Sequence, residues 1–272
     1  MSTQKVKKLQ NLLESIPSGF LVETAWMIDK GIARASIRDY ANRGWLERVE
    51  RGVFRRPGPI NQTRLDWQTA VLSIQHIMRD DVHVGGMTAL ALQGYAHYIP
   101  LGEGQDVHVY GAKVPTWLSK LPLDAKILKH KVTLFDDPAL GIRQQNNPAS
   151  KTSWGWELIL SEPERAIIEA IDEVPEVESF HNLDMVFEGL VNLRPRNLAK
   201  LLTACGKIKV RRLFFMFADR HNHAWNKRIK PEDFDLGKGD RALVRGGKLH
   251  PKYRIMVPPE FVVPSGETTD GP

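Results

Sequence analysis

The sequence predicts an α+β protein with an N-terminal winged helix-turn-helix followed by a larger mixed α/β-containing domain. Three observations point there. Residues 31–58 read as a helix, a glycine break and an arginine-rich hairpin; residues 82–160 hold short β-branched runs parted by Gly and Pro; from residue 162 amphipathic helices follow one another. At 272 residues, with 42% hydrophobic and 26% charged side chains, the chain is long enough for two domains, each with its own core.

In chain order, Val6, Leu9, Leu12, Leu13 and Ile16 recur at helical spacing and predict a first helix over 3–15. Phe20 and Leu21 lead into a short second helix through Trp26, Met27 and Ile28, ended by Gly31. In the third helix Ala33, Ile37, Tyr40 and Ala41 share one face. Its other face presents Ser36, Arg38, Asp39, Asn42 and Arg43, with Arg34 on the flank, and Gly44 is a natural stop. Leu46, Val49, Val53 and Phe54 then supply the apolar positions of a hairpin whose tip carries Arg51 and Gly52. Arg48, Arg51, Arg55 and Arg56 ride on this wing. A basic helix face alone is ordinary solvated surface. Beside a basic wing it becomes a candidate for the major groove of double-stranded DNA.

Pro57-Gly58-Pro59 is a stiff break, and we place the domain boundary there: 1–58 for DNA binding, 59–263 for the α+β domain, and 264–272 as a polar, disordered tail. Trp67, Ala70, Val71, Ile74 and Ile77 or Met78 predict an amphipathic helix. Residues 81–94 read as strand, Gly85-Gly86 turn and helix ending at Gly94; 106–110, 125–132 and 154–160 read as strands. Ser161 and Glu164 have the spacing of a capping box, with Pro163 at the first helical position of a helix that runs to Pro175. Helices over 183–193, 195–205 and 210–221 follow, and 242–261 reads as two strands around Gly246-Gly247.

The net charge is +6, and residues 1–58 hold eleven Lys and Arg against six Asp and Glu, a balance of +5. The excess positive charge is therefore concentrated where phosphates would be met. Cys205, the only cysteine, excludes an intramolecular disulfide and a multi-cysteine zinc site, and it reads as a small core residue. Nothing in the sequence resembles a signal peptide or a membrane span, so the expectation is a soluble, cytoplasmic protein.

No catalytic motif stands out, and the chain is expected to have no enzymatic activity, no cofactor and no metal. Gly85-Gly86 lacks the further glycine or Lys-Ser/Thr of a phosphate-binding loop and reads as a tight turn. His221-Asn222-His223 is a weak metal-site candidate, and its place at a helix end suits a cap. Lys207, Lys209, Arg211 and Arg212 open the helix that runs into Leu213. They are either a solvated helix start, which cations at an N-terminus make less comfortable, or a surface facing a partner.

Several segments together resemble the AbiEi-type antitoxins of bacterial type IV toxin–antitoxin systems. In the first domain the resemblance lies in ETAWMIDKGI and GWLERVERGVFRRPG. In the second it lies in HVGGMTALALQGY, SEPERAIIEAIDEVP, the run from Phe187 to His221, and LGKGDRALVRGGKLHPKYRIMVP. It implies a winged-helix repressor that places two copies on inverted repeats upstream of its own operon. It also implies a second domain that neutralises a nucleotidyltransferase-like toxin without forming a stable complex. The DNA-contacting residues carry over as Arg34, Arg38, Asn42, Arg43 and the wing arginines, with Ser36 beside them; Lys207 to Arg212 is the candidate antitoxin surface. One departure is Ala33, where the family often has a serine to cap the recognition helix. The alternative is a winged-helix regulator whose second domain senses a ligand or modifies the toxin or its RNA.

Overall fold

The structure, a computed structural model, describes residues 3–58, 65–96, 104–144 and 155–262. It is α+β throughout, and contacts gather the chain into two compact units. The first comprises Met1–Thr88, Tyr98–Val132 and Ile142–Ser161; the second comprises Ala89–His97, Thr133–Gly141 and Glu162–Pro272. Pro59, Trp154 and the polar tail lie outside the described residues.

The first unit opens with helix α1 (Thr3–Ser15), strand β1 (Leu21–Glu23), helices α2 (Thr24–Asp29) and α3 (Arg34–Asn42), and strands β2 (Glu47–Glu50) and β3 (Val53–Arg55). The three strands form one antiparallel sheet in the order β1-β3-β2, the connectivity of a winged helix. Most of its core is the predicted one, with Leu12, Ile16, Met27, Ile37, Tyr40, Leu46 and Val53 buried, but Ala33, expected on the inner face of α3, and Ile28 are exposed. β1 is the addition: only three residues long, it shows too little alternation to read as a strand, and pairing with β3 defines it.

Asp66 caps the next helix, α4 (Trp67–Leu72), by accepting from the Thr69 amide at 2.7 Å, and the helix continues as a π-helical turn over Ser73–Met78. A five-stranded sheet follows in the order β6-β5-β4-β8-β7. Its strands are β4 (Val82–Val84), β5 (Gln105–Gly111), β6 (Ala125–His130), β7 (Ile142–Gln144) and β8 (Ile159–Ser161), and α5 (Gly86–Leu92) follows β4. β4 and β8 share a single parallel register pair, Val84 with Leu160. The Gln75 side chain supplements that junction. It donates to the Val82 and Ile159 carbonyls at 3.1 and 2.9 Å and accepts from the Ile159 amide at 3.1 Å.

The division into units does not fall at Pro57-Gly58-Pro59, where the sequence suggests a boundary. Residues 1–58 pack on the elements after them. The buried Leu21 amide donates to Ser73 Oγ at 2.9 Å, and the Phe20 ring meets the edge of Trp156 at 5.2 Å between centroids. Trp156 in turn stacks on His76. Trp117 donates its indole N–H to Glu23.

The second unit is built on α6 (Pro163–Asp172), α7 (Phe180–Gly189), α8 (Pro195–Ala204) and α9 (Ile208–His221), with short strands β9 (Lys248–Leu249) and β10 (Met256–Val257). Val210, Leu213, Phe214 and Phe217 of α9 are fully buried, and Phe187 of α7 stacks on Phe217 at 5.1 Å. Two expectations are corrected. Glu162, not Ser161, occupies the N-cap of α6; Ser161 ends β8, and Glu164 reaches Arg194 rather than back to the cap. The strands near the C-terminus pair Leu249 with Met256, so both follow Gly246-Gly247 instead of flanking it. Gly247 is required for a different reason: a Cβ there would lie 2.6 Å from the Val257 carbonyl oxygen.

Candidate nucleic-acid interface

α3 is set by the turn before it and the glycine after it. Gly31 takes φ +79°, and Ile32, whose amide donates to Met27 O, is buried between the two helices. Ala33 occupies the N-cap with extended backbone and no side-chain cap, as its side chain requires. Ile37 and Tyr40 anchor the inner face, and Gly44 ends the helix at φ +74°. This places Arg34, Arg38, Asn42 and Arg43 on the exposed side, with Ser36 half-buried against Tyr40. Burial pushes the Tyr40 phenol up, so it stays a neutral core group.

The wing is a tight hairpin. Gly52 takes φ +79° and its carbonyl accepts from the Thr24 amide at 2.8 Å, which ties the tip to the start of α2. A bulge between Arg48 and Glu50 shifts the register so that Glu47 lies opposite Arg55. Between α3 and the wing lies a hollow of about 890 Å³ lined by Arg34, Arg38, Asn42, Glu47 and Arg48 among others. Arg34, Arg38, Asn42 and Arg51 make no side-chain hydrogen bond or ion pair with another described residue, so their donors are open to an outside acceptor.

The wing arginines divide into two kinds. Arg48 and Arg51 are exposed, Arg48 with only a 3.4 Å contact to the Glu50 carbonyl. Arg55 is held by Glu47, its Nε and Nη2 both on Oε2 at 2.9 and 2.5 Å, and its side chain is 12% exposed. Arg56 donates to the carbonyls of Leu13 and Ile16 and thereby satisfies the C-terminal end of α1. These two, expected to face DNA, are structural members of the wing. Arg43 is intermediate, 3.4 Å from Asp39 and lying over the Trp45 ring.

The basic cluster of the second unit is largely engaged within its own unit, although Lys207 remains exposed. Lys207 pairs with Asp172 at 2.6 Å, and Lys209 donates to the Asp172 and Val174 carbonyls at the end of α6. Arg212 is 2% exposed and donates to the carbonyls of Leu236, Gly239 and Arg254, its pKa drawn down by burial. Arg211 is half-buried near Cys205. Lys209 and Arg212 therefore staple α9 to its neighbours, and only Lys207 of the cluster is exposed.

His221-Asn222-His223 closes α9. Asn222 is left-handed at φ +46°, His221 pairs with Asp184 at 2.8 Å, and His223 meets the Phe187 carbonyl at 2.7 Å. Among the described residues no group of three or more His, Cys, Asp or Glu could hold a metal ion, and no helix is long and apolar enough to cross a membrane. Cys205 is buried and its thiol is pushed up by that burial, so it sits in the core as expected.

A family described as "Transcriptional regulator, AbiEi antitoxin, Type IV TA system" matches residues 104–258, and its N-terminal domain, described as that of the AbiEi antitoxin regulator, matches residues 5–101. The crystal structure of RV2827C protein from Mycobacterium tuberculosis superposes with a TM-score of 0.57 over 93% of this chain and 90% of that one. At 15% identity this likeness concerns the fold. No curated protein matches the chain.

Proposed function

Because the chain belongs to the AbiEi family of transcriptional regulators and antitoxins of type IV toxin–antitoxin systems, we propose that it binds an inverted repeat upstream of its own operon as two copies. In this reading it represses transcription and counteracts a nucleotidyltransferase-like toxin without a stable complex or catalysis of its own. The observation that carries the DNA half is the convergence of Arg34, Arg38 and Asn42 from α3, with Arg48 from the wing, on one hollow. Arg38 and Asn42 have the donors that pair with guanine and adenine edges, and Arg48 and Arg51 suit phosphates.

The test is binding of the full chain to its operon's upstream DNA and to a random duplex of equal length. Arg38→Ala or Asn42→Ala should lower the preference for the operator by about 1–3 kcal/mol, whereas Arg51→Ala should weaken both complexes alike. No protected region upstream of the operon would end the autoregulator reading. Co-expression with the neighbouring toxin gene tests the other half, since growth must recover when the full chain is present.

A further inference from the structure

The hollow between α3 and the wing is lined by hydrogen-bond donors with one exception. Arg34, Arg38 and Arg48 carry only N–H groups and Asn42 an amide, whereas Glu47 is the one acid among the described residues that line it. A carboxylate is a poor neighbour for phosphates, so its place there needs a reason. The bulge between Arg48 and Glu50 sets Glu47 opposite Arg55, and Arg55 donates from both Nε and Nη2 to Oε2, at 2.9 and 2.5 Å. Oε1 takes no hydrogen bond from another described residue. The Arg55 side chain is 12% exposed and that of Glu47 50%, so the pair turns its negative end outward. Arg55 thus offsets the charge at the distance of a phosphate, while Oε1 remains an acceptor at contact distance.

We propose that Glu47 is a base-selecting residue of this interface: Oε1 accepts from the exocyclic amino group of a cytosine in the major groove and disfavours guanine and thymine. Cytosine presents an N4 amino donor there, whereas guanine presents the O6 and N7 acceptors and thymine the O4 acceptor and a methyl group. Against an acceptor, Oε1 meets a second lone pair with no proton between them, so selection comes from rejection as much as from attraction. Adenine, with an acceptor beside its amino group, falls between. A Glu47 that only braced the hairpin would give no base preference, and one that only repelled phosphate would act on all sequences alike. The proposal rests on the DNA-binding reading above.

The experiment uses the full chain, the protected region upstream of the operon, and duplexes in which each base pair of that region is replaced in turn by the other three. Wild type should show, in each half-site, a position at which reversing a C·G pair to G·C weakens binding by about fivefold or more. E47Q keeps the shape of the side chain and can donate as well as accept. It should bind the reversed duplex more tightly than wild type does, so that the preference falls to about twofold or less at that position and holds elsewhere. N42A should lose its preference at a different position. Each preference is a ratio within one protein and does not depend on the fraction folded. Equal tightening of E47Q on every duplex, a preference unchanged by E47Q, or a wild type with no such position would overturn the role of Glu47 while leaving DNA binding intact. If the wild type protects nothing and prefers no sequence, the DNA-binding reading itself falls, and the role of Glu47 with it.

Discussion

The Glu47–Arg55 pair allows a test in which two readings of one arginine give opposite results. If Arg55 contacts phosphate, Arg55→Ala removes that contact and nothing at Glu47 can compensate. If Arg55 acts by neutralising Glu47, as the 2.9 and 2.5 Å contacts indicate, then Arg55→Ala uncovers a carboxylate that is half exposed and lines the hollow between α3 and the wing. A unit charge about 8 Å from a phosphate costs about 0.5 kcal/mol in water and about 2 kcal/mol at an effective dielectric constant near 20. Arg55→Ala should therefore weaken DNA binding by roughly 2- to 30-fold. The double variant Arg55→Ala/Glu47→Ala should return to within about twofold of wild type. Each variant should lose only about 1 kcal/mol of stability or less, because the pair is partly exposed. Fluorescence anisotropy across a salt series reads both affinity and slope. A double variant as weak as the single one, with the slope reduced by about 0.9, would show that Arg55 meets phosphate directly.

Three further outcomes are expected. Ser73→Ala leaves the buried Leu21 amide without its acceptor and should destabilise the first unit by about 1–3 kcal/mol, seen as earlier loss of amide-exchange protection in β1. Arg212→Met strips three carbonyls of their donor and should lower the unfolding midpoint of the second unit, so any loss of toxin neutralisation should track the loss of folded protein. For Asp184, burial is outweighed by the hydrogen bonds from Arg220 and His221, which hold its pKa below the ordinary 3.8. The lowered folded pKa means that its stabilisation is present above that value and is lost as pH falls through the folded one. Asp184→Asn should thus be less stable than wild type at pH 7 in denaturant titrations, and the difference should shrink on acidification below about pH 4.

The helices of both units were legible because periodicity is carried by residues such as Leu9, Ile37 and Leu213, whose burial the structure bears out. The roles of the arginines were not. A tight turn at Arg51-Gly52 without a bulge would set Arg48 opposite Arg55; the bulge moves Glu47 there, and nothing local in the sequence announces it. Arg56 and Arg212 look like surface charge in sequence because their partners are main-chain carbonyls, which every sequence contains. β1 and β7, three residues each, were likewise hidden, since they are strands only by virtue of distant partners. The exposure of Arg34, Arg38 and Asn42 on one side of α3 was legible because a helix face is a local property.

The π-helical turn at Ser73–Met78 bears on how such regulators can diversify. Ser73 holds β1 of the N-terminal helix-and-hairpin segment through the Leu21 amide, and Gln75, two positions on, closes the gap between β4 and β8. One inserted or deleted residue in that turn would unfasten both at once, whereas the outer face of α3 can change freely. If Arg38 and Asn42 read DNA as proposed, new operator preferences can therefore arise by point substitution there. Exchange of residues 1–58 between relatives must bring a matching turn with it, and matching partners for Phe20 and Glu23 at Trp156 and Trp117, so grafts cut at Pro57-Gly58 should be destabilised.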